Sequence, residues 1–238
     1  MKGVIAGRAP GVQVIDVSHG IPAQDVMAGA LVLRAAAPYF PAGTVHVAVV
    51  DPGVGSARRP ICIETREACF VGPDNGLLSL AAPRARAVRI VEIADERFML
   101  SPRSSTFHGR DVFAPAAAAI ASGIPVEALG PARDDMVAVE LPLSVRAGDV
   151  IRGEVIYVDR FGNLATNVDA AMLPAAVDHV EIAGHRAIPF APTYAAVERQ
   201  ASVALVNSWG LVEIAVRDGD ARTTLAAGVG APVLVVVR

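Results

Sequence analysis

Apolar residues in the first half of the chain fall in short unbroken runs rather than in strict alternation. VQVIDV (12–17) and TVHVAVV (44–50) are β-branched runs of this kind, as expected of strands buried on both faces. Between them, DVMAGALVLRAAAPY (25–39) is built from helix formers and opens on an acidic residue, which predicts a helix. Strand, helix, strand in that order predicts parallel pairing. PICIET, ACFVG and RAVRIVEI (86–93) predict three more strands, and PDNG a tight turn. Arg110 to Ser122 reads as a second helix, with Asp111 in its first turn, where a carboxylate favours the helix dipole. The opening MKGVI, followed by Gly7 and Pro10, reads as the last turn of a helix and its exit loop.

The pattern changes between Leu141 and Asp149. Beyond it VIRGEVIYVDRFGNLATN, HVEIAGHRAIPF, ASVALVNSWGLVEIAV and APVLVVV are short strands joined by turns bearing Gly and Asn, with little helix between them. The expected architecture is an α/β N-terminal domain over 1–143, its mostly parallel sheet flanked by helices, and a β-rich C-terminal domain over 149–238.

Composition narrows the function classes. A chain of 238 residues, 53% hydrophobic and 19% charged, can bury a sizeable core in two small domains. No run approaches the ~18 apolar residues of a membrane span, so a membrane partner is not expected. The net charge is only -3, and Lys2 is the sole lysine among scattered arginines, so no basic stripe invites nucleic acid. The first residues carry too short an apolar run for a signal peptide, which makes the cytoplasm the default location. Cys62 and Cys69 form no C-x-x-C pair and read as reduced structural thiols.

Several stretches carry chemistry, and each allows two readings. In VAVVDPGVGSARRP, Asp51 ends a predicted strand and opens a Gly-rich loop, with Arg58 seven residues on. This is either a ligand loop at a strand's carboxyl end or a turn with a surface ion pair. GPDNGLL is either a second such loop or simply a turn. His108 in STFHGRD either supports the following helix or stands at its mouth as a base or water-orienting group. In YVDRFGNLATN, a β-turn accounts for Asp159 and Asn163 but not for Phe161 or Asn167. NSWG offers Asn207 and Ser208 as amide and hydroxyl groups suited to an amino-acid head group.

Taken in order, DVSHGIP, VVDPGVGSARR, GPDNGLL, STFHGRDVFAPAAA, YVDRFGNLATN and NSWGLVEIAV resemble the S-adenosyl-L-methionine (SAM) hydroxide adenosyltransferases, the SAM hydrolases related to fluorinase and chlorinase. The resemblance implies hydrolysis of SAM to adenosine and L-methionine by displacement at the ribose C5′, with SAM as substrate and no cofactor or metal. It also implies a homotrimer whose sites lie between one subunit's N-terminal domain and its neighbour's C-terminal domain. Carried over motif by motif, the catalytic residues are Asp51, Arg58 and His108. Asp159 and Ser208 fall where the family meets the methionine amine and carboxylate. Asn163 falls where adenine is bonded, with Phe161 alongside. Pro52, Val54, Thr106 and Phe107 match the wall around the nucleophile, and Tyr194 an adenine-stacking face. The alternatives are a non-catalytic SAM- or adenosine-binding trimer and a SAM-dependent halogenase. The halogenase is disfavoured because the Asp, Arg and His trio stands in place of a halide pocket.

One departure is expected to matter. The family's first strand and its TDFG…D-type segment, whose acidic residues hold the ribose hydroxyls, have no counterpart before MKGVI. The expectation is either a chain begun at an internal Met or a degenerate member.

Overall fold

The computed structural model describes all residues 1–238, and they divide into two compact units, Met1–Val139 and Glu140–Arg238. In the first, the helices are α1 (Lys2–Arg8), α2 (Val26–Ala36) and α3 (Ala114–Ala121), and the strands are β1 (Thr44–Val47), β2 (Pro60–Glu64), β3 (Ala68–Pro73) and β4 (Arg89–Glu92). The sheet order is β1-β3-β2-β4. Only β1 and β3 run parallel; β2 pairs antiparallel with both β3 and β4. The sheet is therefore mixed, not mostly parallel. The physical reason is the connection between β2 and β3, which is only Thr65–Glu67, whereas a parallel crossover needs a dozen residues or more. The Thr65 hydroxyl closes that turn by accepting from the Ala68 N–H at 3.0 Å.

Alternation along these strands sends side chains to two cores. Cys62, Val71 and Val91 pack with Phe113, Ala116 and Leu129 on one face, while Ile61, Ile63, Phe70 and Ile90 pack with Leu33, Leu77 and Leu78 on the other. α1 lays Ile5 and Ala9 on Ala114 and Ala118 of α3. It occupies Lys2–Arg8, so MKGVI is helical from Lys2 on and the chain leaves the helix at Ala9 and Pro10. The predicted buried strand at 12–17 is not a strand: Val12, Val14, Ile15 and Val17 are all exposed and the segment joins no sheet. A β-branched run becomes a strand only where a partner completes its ladder, and here none does.

The second helix also departs from expectation. It begins with a π-helical turn, Gly109–Phe113, before α3 proper. Asp111 stands in its first turn, as expected, and is wholly buried there.

The second unit holds β5 (Val145–Ala147), β6 (Val150–Val158), β7 (Leu164–Asp169), β8 (Val177–Ile182), β9 (His185–Pro189), β10 (Ser202–Val206), β11 (Leu211–Val216), the short α4 (Ala221–Thr224) and β12 (Pro232–Val237). They form one sheet in the order β10-β11-β7-β6-β12-β8-β9, with β5 on β6 and every pairing antiparallel. A single bridge from Phe190 to Ala204 brings the two ends together, so the sheet is a nearly closed barrel. Its interior is a continuous aliphatic core that includes Ile151, Val155, Leu164, Val180, Ile214 and Val235. The β-rich reading of this half holds. No helix in either unit is long and apolar enough to cross a membrane.

Candidate active site

After β1 the chain still bonds to β3 through the Ala48 N–H and Val71 carbonyl, at 3.1 Å, and then turns sharply at Asp51. Asn75 of the GPDNG stretch donates its amide to the Val50 carbonyl at 2.8 Å and so pins the residue just before that turn. Its neighbour Asp74 is buried and accepts from Arg59 and from the Val137 N–H at 2.8 Å, so this stretch is scaffolding. The Asp51–Ser56 loop closes on itself through the Val54 N–H to Asp51 carbonyl and Ser56 hydroxyl to Gly53 carbonyl bonds, and it folds Arg58 back over Asp51.

Arg58 grips Asp51 with a two-pronged fork, Nε donating to Oδ1 at 2.8 Å and Nη2 to Oδ2. The two side chains are 8% and 6% exposed, so this is a buried ion pair with the planar geometry that makes such pairs strong. Nη2 also donates to Nδ1 of His108 at 3.0 Å, and the Phe113 ring lies 5.2 Å from the guanidinium. Nη1 is buried with no hydrogen-bond partner. An orphaned donor of that kind is costly and marks a place where an acceptor is wanted.

His108 immediately precedes the π-helical turn, a feature that recurs at functional sites. The loop before it presses against the Asp51 loop at Gly55, whose φ is +77° and where a Cβ would lie 2.6 Å from the Ser105 carbonyl oxygen; no other residue fits. The His108 imidazole is held below its ordinary pKa, first by burial and then by the charges of Arg58 and Arg103, against the opposing pull of Asp51 and Asp111. With Nδ1 accepting from Arg58, the neutral ring carries its proton on Nε2. Thr106 and Phe107 are exposed just before His108, with the Arg110 guanidinium 4.7 Å from the Phe107 ring; Pro52 and Val54 lie in the Asp51 loop.

In the second unit the β6–β7 turn is organised by Asp159. Its Oδ1 accepts from the N–H groups of Phe161 and Asn163 at 2.8 and 2.9 Å, and its Oδ2 from the Asn163 amide at 3.0 Å. The Asn163 side-chain oxygen Oδ1 is left as an acceptor, its backbone carbonyl being taken by the Asp159 N–H, and Phe161 stands 63% exposed with Arg160 at 5.0 Å from its ring. Between β10 and β11, the Asn207 side chain accepts from the N–H groups of Trp209 and Leu211 and holds up a turn on which Ser208 is exposed. The Trp209 ring lies 5.1 Å from that of Tyr157.

A residue that motif reading passed over ties these pieces together. Glu213, on β11, is 6% exposed, and its two oxygens accept from the Tyr194 hydroxyl at 2.7 Å and the Asn207 amide at 3.1 Å. Tyr194 is held well above the ordinary phenol range, by burial first and then by Glu213. The signal was present in sequence as a lone carboxylate inside the apolar run LVEIAV.

Residues 1–130 match the SAM hydroxide adenosyltransferase N-terminal domain, and residues 153–234 match the C-terminal domain of the same family. The chain belongs to the SAM hydroxide adenosyltransferase family. It is 44% identical over 241 residues to an (R)-S-adenosyl-L-methionine hydrolase of Thermus thermophilus, covering 98% of this chain and 91% of the relative. A fluorinase of Actinoplanes sp. is more distant, 27% identical over 70% of this chain and 65% of its own. Among solved structures, an uncharacterized conserved protein from Thermotoga maritima superposes with a TM-score of 0.90 at 32% identity, covering 99% of this chain and 93% of that one.

Proposed function

We propose that the chain hydrolyses SAM to adenosine and L-methionine by attack of a water-derived oxygen at the ribose C5′. The observation that carries this reading is the buried Asp51–Arg58–His108 hydrogen-bonded chain. In the reaction the C5′–S bond breaks with its electron pair going to sulfur, so the sulfonium leaves as neutral methionine thioether and needs no acid. The demand falls on the nucleophile: an O–C5′ bond forms and one water proton must be taken up.

The hydrogen bonding divides that work. His108 cannot accept at Nδ1, which Arg58 occupies, so it acts by donating from Nε2 to the attacking oxygen and fixing its lone pair. Asp51 keeps lone pairs beyond the two that Arg58 uses and is the proton acceptor. A carboxylate is a weak base, but oxygen becomes strongly acidic as it bonds to carbon, so a weak base in the right place suffices late in the step. The orphaned Nη1 of Arg58 is a buried donor free to hold a lone pair of the water before attack. Holding the oxygen about 3–3.5 Å from C5′ removes on the order of 7–11 kcal/mol of barrier by orientation alone.

Substrate is held by the second unit. Asn163 accepts from the adenine amino group with Phe161 and Tyr194 as apolar faces, Asp159 and Ser208 take the methionine head group, and Pro52, Val54, Thr106 and Phe107 wall the reacting carbon. The working form is a cytoplasmic homotrimer in which a neighbouring subunit completes each site. Supporting it are the apolar residues Leu143 and Val145, exposed 89% and 57%, and two free cysteines of the kind that persist in a reducing compartment. Sedimentation at other than trimer mass would remove that part.

The test is direct: incubate the protein with SAM and follow adenosine and methionine by chromatography. Equimolar release, lost in His108→Ala, is the expected result. Tight SAM binding without product, or 5′-chloro-5′-deoxyadenosine when chloride is supplied, would replace the hydrolase reading.

A further inference from the structure

The loop from Ser104 to His108 carries Thr106, Phe107 and the ring that donates to the nucleophile, and it has little packing of its own: Ser105, Thr106 and Phe107 are exposed. What holds it is Asp111. This side chain is 1% exposed, and its Oδ2 accepts from the Ser104 N–H at 2.8 Å, reaching back across seven residues to the start of the loop. Arg110 closes over it with a fork, Nε to Oδ1 at 2.6 Å and Nη2 to Oδ2 at 2.9 Å. The Asp111 carbonyl accepts from the Leu100 N–H at 2.8 Å, and both Arg110 and Asp111 N–H groups bond to the Phe107 carbonyl at 3.1 Å. The loop is thus tied at both ends to one residue that lies three positions after the histidine and inside the π-helical turn.

An ordinary helix start would leave a carboxylate at this position in solvent, stabilising the dipole by tenths of a kcal/mol. The π-helical turn instead places Asp111 within the fold, beside the loop it bonds. We propose that Asp111 is a positioning residue for the hydrolytic reaction: bonded to Ser104 at one end and to Phe107 at the other, it fixes the Ser104–His108 loop and with it the histidine ring. The inference rests on His108 acting at the nucleophile. The charged groups facing His108 are Arg58 and Asp51 from the loop after β1, Arg103 from its own loop, and Asp111 from the π-helical turn. Arg58 and Arg103 favour the neutral ring, and Asp51 and Asp111 favour the protonated one. Asp111 is itself kept ionised, chiefly by Arg110 and also by the Ser104 amide.

Two variants move that balance in opposite directions. Asp111→Asn keeps the shape but removes the charge and loosens the fork. It is expected to lower the pKa of the His108 ring, read from its NMR shifts against pH, and to move the acid limb of kcat/KM to lower pH. It is also expected to cut kcat by about tenfold or more with KM for SAM little changed, since a misplacement of about 1 Å costs up to ~100-fold. Arg110→Met leaves Asp111 uncompensated and is expected to raise the same pKa and shift the limb upward. If Asp111→Asn does not fold, Arg110→Met decides alone. Ring titration and acid limb unchanged in the variants that fold, with only melting temperature or kcat reduced, would overturn the proposal and leave Asp111 a packing residue. Should the unaltered protein release no adenosine, the ring titration still decides whether Asp111 sets His108, so this failure and that of the hydrolase reading are separable.

Discussion

In the first unit a buried aspartate faces a buried arginine, and the arginine reaches on to a histidine; in the second, the buried carboxylate of Glu213 meets only a phenol and an amide. Both are anions removed from water, yet they differ in what surrounds them. Charge against charge sets a carboxylate with spare lone pairs beside a donor with no partner, which suits holding a water and taking up its proton. Charge against neutral donors fixes two loops in place, those of Tyr194 and of Asn207, without leaving a reactive proton. On the proposed hydrolase reading the first unit serves the chemical step and the second holds shape, so substitutions on the two sides should fail differently.

The largest effect is expected at Arg58. Arg58→Met strands the Asp51 carboxylate inside the protein, and breaking a buried pair in this way costs about 3–5 kcal/mol. Denaturant unfolding should register that loss together with the disappearance of SAM turnover. An Arg58→Met protein as stable as the parent would mean that the pair is not buried in solution. His108→Ala should lower kcat by about 10²-fold or more, the cost of losing the donor that orients the attacking oxygen, while unfolding hardly changes.

On the other side, Glu213→Gln should keep turnover at saturating SAM but raise KM by several-fold, because each hydrogen bond to a charged group is worth about 1.5–3 kcal/mol and only part of that is lost. A fall in kcat with KM unchanged would erase the distinction between the units.

The smallest effect concerns pH, where the two halves carry opposite signs. His46, stacked 4.9 Å from Phe70 with Phe40 edge-on, is depressed in pKa by burial, as His108 is by burial and its arginines. Below the ordinary value of 6.5 the unfolded chain takes up protons that these folded rings refuse, so the first unit weakens as pH falls. His179 is raised by Asp178 first and by Glu181, so its contribution is fully present below 6.5 and fades as pH rises through its folded value. Hydrogen exchange at pH 5.5 and 7.5 should show first-unit amides less protected, relative to second-unit amides, at the lower pH. Parallel changes in both units would contradict the assignment.

Much of this was legible from the chain. The runs at 44–47, 60–64 and 68–73 became strands because each found a partner, and the turn chemistry of the second half led to a barrel-like sheet. Asp51 and Arg58, chosen from one motif, and His108, from another, are joined by hydrogen bonds through Arg58. The mixed sheet was missed because apolar runs say which residues are buried but not which direction a neighbour runs; the three-residue link at Thr65–Glu67 held that information. The run at 12–17 misled because periodicity cannot tell whether a ladder partner exists. Asp111 does stand in the first helical turn, as read, but its burial was not legible because a π-helical turn and an α-helical one look alike in sequence; Glu213 was passed over because its partners lie 6 and 19 residues away on other loops.

The account stands most directly on where the new oxygen goes. When the protein turns over SAM in 18O-labelled water, attack at C5′ predicts one 18O atom in the 5′-hydroxyl of the released adenosine and none in methionine, read by mass spectrometry. Adenosine without label, or label in methionine, would contradict it.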